Sequence, residues 1–381
     1  MQLRLQVDPP FQPLPHGDTH YVAVLQNRRG ELDALQQATA DTWSKFTPLI
    51  QIVGPKSPLE QINASNITSW TGIISTAVGQ HPLYLDILRL KATHPVITGA
   101  GFESPVLERI YWSARRRALN FVPVIRVGET TAAHAGMAAD AAEADGRGIA
   151  IRLALRSVAP PPGTTMTDYL SKLLVDLRAD VTTTDLLLDL AFIEPDTEID
   201  ADDLGQAISK TLNVGNWRNV VLLGTSIPSM MSCVPQGTVG EIDRREWGIW
   251  MAIQNVGLDR LPAFGDYAIQ HPTPPSDGVD SQRSGGGSQR ANIRYTTTST
   301  TVVARGRGPV YQEGAEQYVG LCQQVVTRSD FSGSQFSWGD GIINGCASGY
   351  VEPGSQRMWR GAGTSHHLRF VTDQLTSFRT S

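Results

Sequence analysis

Gly148-Ile149-Ala150-Ile151-Arg152-Leu153-Ala154-Leu155 decides the fold. Ile149, Ile151, Leu153 and Leu155 alternate with Ala150, Arg152 and Ala154, so this strand presents a bulky face to a helix layer and a small face to a narrow interior. An arginine on the small face is costly to bury unless something pairs with it.

Working outward, similar apolar runs recur at Tyr21–Gln26, Thr47–Val53, Pro82–Leu88, Phe121–Val127, Thr184–Ala191, Val220–Thr225 and Phe264–Ile269. The spacers Ser104–Leu119, Thr130–Ala144, Met166–Ala179, Ala201–Leu212 and Glu241–Asn255 carry apolar residues at three- and four-residue intervals, the period of surface helices. Strand and helix in alternation imply a parallel sheet, and eight strands imply closure, so the expected fold is α/β, a (β/α)8 TIM-like barrel. An open doubly wound sheet is the competing architecture. The first βα turn, Gln26-Asn27-Arg28-Arg29-Gly30, lacks the glycine fingerprint of a dinucleotide fold.

Five of the runs carry a lone charge near their ends: Asp86, Arg126, Arg152, Asp189 and Asp266. Alternation turns Asp86 to the face of Tyr84, Arg126 to that of Val122 and Val124, and Asp189 to that of Asp185 and Leu187. With Asp266, and with Gln26, Gln51 and Ser226 from the remaining strands, these residues are expected to converge inside the mouth of the barrel. Such a set fits a phosphate or carboxylate pocket, with Arg126 and Arg152 as the fork and an acid as base. It also fits a structural layer of ion pairs. Charges at the C-terminal ends of barrel strands favour the ligand site.

Composition narrows the class. The 381 residues are 40% hydrophobic and 18% charged, ordinary for a globular chain, and no apolar run approaches the ~20 residues that span a bilayer. Met1 to Gly17 is broken by prolines and has no continuous apolar stretch of the secretory kind, so the expected compartment is the cytoplasm, with no membrane partner. Cys233, Cys322 and Cys346 are too few and too scattered for a disulfide framework or a thiolate zinc site, which leaves buried free thiols. The net charge of −5 makes no global case for nucleic acid. Residues 290–381 hold nine arginines, no lysine and six carboxylates, a basic tail of planar forks.

Three segments are expected: the barrel strands in 1–272, a flexible Gly/Ser/Pro loop in 273–292, and a C-terminal α+β extension in 293–381 that interrupts or follows the last βα unit and covers the mouth. Ile293–Ala304 reads as an extra strand and Glu313–Thr327 as the eighth helix. Gly339-Asp340-Gly341 reads as a turn. His366-His367 follow Gly363-Thr364-Ser365 at an expected helix start, from which one histidine reaches the mouth as acid or base. Trp247 and Trp250 have the spacing of core packing. Nucleophile-elbow, P-loop and HExxH motifs are absent from the sequence.

Tyr21-Val22-Ala23-Val24-Leu25, Arg29-Gly30-Glu31, Thr47-Pro48-Leu49-Ile50, Pro123-Val124-Ile125-Arg126, Phe264-Gly265-Asp266-Tyr267, Ile293-Arg294-Tyr295, Ser337-Trp338-Gly339-Asp340 and His366-His367 occur in an order that resembles the bacterial and phage "beta family" proteins over nearly the whole chain. Members of that largely uncharacterised family are found among phage and mobile-element genes and near defence genes, sometimes beside a nuclease-like partner. The resemblance implies a component of an anti-phage defence system, with a phage protein or a defence partner as candidate binding partners. There is a departure: relatives end the first strand in Lys and the second in Glu, where this chain has Gln26 and Gln51.

Two expectations follow. In one, the mouth binds a nucleotide, a nucleic acid or a partner protein through Asp86, Arg126, Arg152, Arg294, Gln26 and Gln51. In the other, the same mouth is a metal-dependent phosphoester hydrolase in which Asp189, Asp266 or Glu31 acts as base or holds a divalent cation, with His366 as acid or base.

Overall fold

Tyr21–Gln26 (β1), Phe46–Gln51 (β2), Leu83–Asp86 (β3), Phe121–Arg126 (β4), Ile149–Ala154 (β5), Thr184–Phe192 (β6), Asn219–Thr225 (β7) and Ala263–Asp266 (β8) pair in parallel with their sequence neighbours. β8 pairs back onto β1, so the computed structural model is a closed (β/α)8 barrel, as the alternation predicts. It describes residues 17, 20–54, 62–87, 95–97, 103–273 and 290–378.

The two strand faces separate as predicted for β5. Ala150 packs inside the barrel with Val22, Val24, Leu49, Tyr84, Val124, Leu187, Val221 and Leu223. Ile149, Ile151 and Leu153 point the other way, into the layer shared with the helices. Trp250 and, more peripherally, Trp247 are buried in that outer layer, in the core role their spacing predicts.

Closure depends on one glycine. A Cβ at Gly265 would lie 2.4 Å from Leu223 Cδ2 and 2.9 Å from the carbonyl oxygen of Val22. Only a residue without a side chain lets β8 seat between β7 and β1.

The extension adds an antiparallel sheet in which Thr300–Pro309 lies between Val239–Asp243 and Arg290–Thr296. Its first strand comes from the loop after β7, so the start of the expected helix Glu241–Asn255 is strand, and the helix is Arg245–Ile253. The single expected strand Ile293–Ala304 is a hairpin that turns at residues 297–299.

The eighth barrel helix is a correction. Gln317–Val326, the helical part of Glu313–Thr327, packs on the extension sheet. The C-terminal helix Gln356–Phe378 lies against the first helix, Arg29–Gln36, and sends Leu368, Val371 and Leu375 into the outer barrel layer. Apart from the strand Val239–Asp243, the extension therefore sits in the chain between β8 and the helix that completes the barrel.

Two turn readings are also overturned. Gly339-Asp340-Gly341 is the first turn of the helix Trp338–Ala347, capped by Ser337, which accepts from the Asp340 backbone N–H at 3.2 Å. His366 and His367 lie in mid-helix rather than at a helix start, and both are buried. The glycines before them mark close backbone contact: a Cβ at Gly361 would fall 3.0 Å from the Gly30 carbonyl oxygen, and one at Gly363 2.8 Å from that of Arg294.

Cys322 and Cys346 are buried free thiols, as expected, whereas Cys233 is exposed. Most of the expected loop 273–292 and of Met1–Gly17 lies outside the described residues. Among the described residues no helix is long and apolar enough to cross a membrane.

Candidate functional site at the barrel mouth

Strand register assembles the mouth. Gln26 is the pairing partner of Gln51, Gln51 of Asp86, and Arg126 of Arg152, each at an inward position near the C-terminal end of its strand. Ala154, the next inward position after Arg152, pairs with Asp189, so that carboxylate lies one step further towards the mouth, within reach of the Arg152 guanidinium.

The side chains form one hydrogen-bonded ring. Arg126 donates to Asp86 Oδ2 through Nε at 3.0 Å and Nη2 at 2.7 Å, and Arg152 Nη1 donates to the same oxygen at 2.8 Å. Arg152 also donates to Asp189 Oδ2 from Nε at 2.9 Å and Nη2 at 2.7 Å, and hydrogen-bonds Tyr267. The Tyr267 hydroxyl donates to Asp189 Oδ2 at 2.7 Å. With its amide oxygen turned to the guanidiniums, Gln51 accepts from Arg152 at 2.8 Å and Arg126 at 2.7 Å. A neutral acceptor at position 51 leaves two arginines balanced by two aspartates.

Electrostatics follows from burial and pairing. Burial alone would depress the Arg152 guanidinium, but Asp189, Tyr267 and Asp86 more than reverse this and hold it above its ordinary value. Burial pushes the Tyr267 phenol up, against Arg152 and reinforced by Asp189, so it stays a neutral donor. Arg152 is 3% exposed in its side chain, whereas Arg126 is 15% exposed, so the Arg126 edge is the part of the ring that meets solvent.

The ring aspartates do not fit a cation. Each is spent on guanidiniums, and Asp189 Oδ1 accepts from the backbone N–H of Ala191 at 2.8 Å. Among the described residues no group of three or more His, Cys, Asp or Glu could hold a metal ion.

Asp266 is not part of this ring. On β8 the inward positions are Ala263 and Gly265, and the next of that parity is Tyr267, which takes the place expected for Asp266. The signal is in the strand itself: small residues belong in the interior, as in β5, and Ala263 and Gly265 are the small ones. Asp266 faces the helix layer, where it accepts from the Tyr21 hydroxyl, from the Ala268 backbone N–H at 2.8 Å and from His367 Nε2 at 2.9 Å. Burial holds the His367 ring below its ordinary value against the pull of Asp266, so it is neutral and accepts from Thr296 at Nδ1, 2.7 Å away.

Two more expected residues are displaced. His366 does not reach the mouth: its Nδ1 lies 2.9 Å from Asp340 Oδ2 and its Nε2 2.8 Å from the Thr296 carbonyl oxygen, inside the extension. Ser226 also leaves the interior, donating to Glu246 Oε2 at 2.8 Å in the barrel wall.

Glu31 and Arg294 lie outside the ring. Glu31 is fully buried in the first turn after β1, where Oε2 accepts from the Gln26 backbone N–H at 2.6 Å and Oε1 has no hydrogen-bond partner. Burial pushes its carboxyl up, against Arg360, the Gln26 N–H, Arg28 and Arg294. Arg294 hydrogen-bonds the Ile269 carbonyl, and burial with the neighbouring Arg360 brings it down to about 10, against Glu31. Arg28 follows β1 directly in the chain, whereas Arg360, on the C-terminal helix, leaves no mark in the local sequence of β1.

The profile of the family described as Beta protein matches residues 21–373. No curated protein matches the chain. Among solved structures, N-acetylneuraminate lyase of Proteus mirabilis is similar at 10% identity over 92% of this chain and 98% of that one, with a TM-score of 0.36.

Proposed function

This chain belongs to the beta protein family, and from that premise and the mouth geometry we propose that it is a recognition protein whose barrel mouth binds a phosphate-bearing ligand of nucleotide type. The observation that carries this reading is Arg126, a guanidinium fixed through Nε and Nη2 by Asp86 and Gln51, whose Nη1 lies at the open end of the barrel, 3.7 Å from the exposed Glu129 carboxylate that an anionic ligand would have to displace. A positioned fork of this kind suits an oxyanion, and its orientation is set before the ligand arrives.

Binding is favoured over turnover by the state of the acids. Asp86 and Asp189 are engaged by arginines, and Asp266 faces away from the mouth, so the metal-dependent hydrolase reading lacks its cation ligands. Family membership is the ground for assigning the recognition role to anti-phage defence, with the ligand or a phage or defence protein as its trigger.

Arg126→Gln is the informative variant, because Arg152 continues to satisfy Asp86. Titration calorimetry with nucleoside phosphates should show binding to the wild type and at least a tenfold loss in Arg126→Gln, which lowers the melting temperature but leaves the protein folded at the assay temperature, because the ring then holds one arginine against two aspartates. Equal affinity of the two proteins would refute the reading. In cells, the wild type should reduce plaque formation and Arg126→Gln should not.

A further inference from the structure

The barrel strands end unevenly at the side opposite the mouth. β7 begins at Asn219, but β8 begins at Ala263, which pairs with Val221, two residues further along. The segment before β8 leaves the wall there, and Arg260 holds it by donating to the carbonyl oxygens of Trp217 and, at 2.9 Å, Arg218.

Between that segment and the start of β1 lies a cavity of about 450 Å3. Its inner part is lined by Val22, Tyr84, Val221 and Ala263, which also belong to the packed interior of the barrel. Its outer part is lined by Leu258, Asp259, Arg260 and Leu261, which are half-buried or exposed, so the cavity opens to solvent. At ~3.3 Å per residue, the four steps from Val22 to Gln26 put it about 13 Å along the strand from the level of the mouth.

The inner wall suits an apolar body. Barrel interiors of this size are normally filled by side chains, and a space left unfilled loses the contacts of its lining. Ala263 is too small to fill the gap that the late start of β8 leaves. The polar groups at this depth serve one another: Asn219 Nδ2 donates to Asp185 Oδ1 at 2.8 Å, and Arg218 donates to both carboxylate oxygens, at 2.8 and 2.6 Å. The Asp185 charge is thus balanced in place. Aromatic surface comes from Tyr84 and from His20, whose Nε2 is fixed 2.8 Å from the Thr47 hydroxyl. The lining carboxylate and guanidinium, Asp259 and Arg260, stand at the opening.

We propose that this cavity is a second binding site, separate from the mouth, for a small amphiphile whose aromatic body seats among Val22, Tyr84, Val221 and Ala263 and whose one polar group stays at the opening beside Asp259 and Arg260. The size is that of a small-molecule site. The site is independent of the phosphate reading, since Asp86, Arg126, Arg152 and Asp189 do not line the cavity. Its occupant supplies the contacts that β8 leaves unmade, and binding should therefore raise the melting temperature.

The test uses anilinonaphthalene sulfonate, an aromatic body with one polar head, whose emission rises and shifts to the blue in apolar surroundings. The folded full chain should bind one equivalent with enhanced emission. Ala263→Phe, which fills the inner cavity, should weaken binding at least tenfold. Leu258→Asp, on the half-buried rim, should weaken it by a similar factor with the fold retained, and it decides the matter where Ala263→Phe does not fold. Arg126→Gln, at the other end of the barrel, should bind as the wild type does. No enhancement with the folded wild type, or binding that survives both cavity variants, would overturn the site. Binding lost in Arg126→Gln and kept in the cavity variants would place the dye at the mouth and overturn it too.

Discussion

His366 and His367 are adjacent in sequence, yet they face carboxylates that belong to different parts of the molecule: Asp340 of the extension at 2.9 Å and Asp266 of the barrel at 2.9 Å. Thr296 lies against both, with its carbonyl oxygen 2.8 Å from His366 and its hydroxyl 2.7 Å from His367. The pair therefore joins the extension to β8 through one turn of the C-terminal helix.

His367→Phe should destabilise the protein by about 3 kcal/mol, because it leaves Asp266 and Thr296 buried with one partner fewer. Urea unfolding measures this. Ligand affinity at the mouth should not change, since Asp266 faces the helix layer; a large loss of binding in a well-folded His367→Phe would put Asp266 back among the site residues.

Arg152→Met should cost about 3–5 kcal/mol, because Asp189 would keep only Tyr267 and the Ala191 N–H. The double variant Arg152→Met/Asp189→Leu should recover a good part of that loss. A double-mutant cycle with a coupling energy near zero would mean that the ring is not the coupled unit described above.

Glu246 governs part of the pH dependence. Burial, opposed by Arg244 and reinforced by Asp266, raises its carboxyl from 4.5 to about 7. The unfolded chain then releases this proton before the folded one, so wild-type stability should fall as the pH climbs from about 4.5 to about 7 and level off above. Glu246→Gln keeps a polar partner for Ser226 and should remove up to about 3 kcal/mol of that decline, read from denaturation midpoints at pH 5 and pH 8.

Asp189 and Asp266 each accept from the N–H of an alanine two residues on, and both alanines are left-handed, Ala191 at φ 55° and Ala268 at φ 50°. Ala191→Gly and Ala268→Gly should each stabilise the fold by about 1 kcal/mol, since glycine adopts this conformation without the Cβ penalty. A drop in melting temperature for either would show that packing of the methyl group outweighs the strain.

Much of the barrel is legible in local pattern. In β4 and β5 a lone charge shares its parity with two apolar or small neighbours, and in β6 Asp189 shares it with Leu187 and Asp185, so Arg126, Arg152 and Asp189 read inward and lie inward. β8 has only four residues, and the parity of Asp266 could be fixed only by asking which residues are small enough for the interior. A slip of one residue exchanges faces, so Asp266 and Tyr267 trade places. The C-terminal helix was obscured for a related reason: Gly361 and Gly363 look like a boundary but serve close contact with other backbone, which leaves no mark on the local sequence.

By itself, then, the sequence determined the strands, their alternation and the closed β/α order, because these depend on residues a few positions apart. Only the tertiary structure decided which acid meets which arginine, which helix is the eighth, and that Asp266 and His367 meet behind the barrel strands. Those relations join segments tens to hundreds of positions apart in the chain, and they are set by strand register and helix packing, which no single stretch encodes.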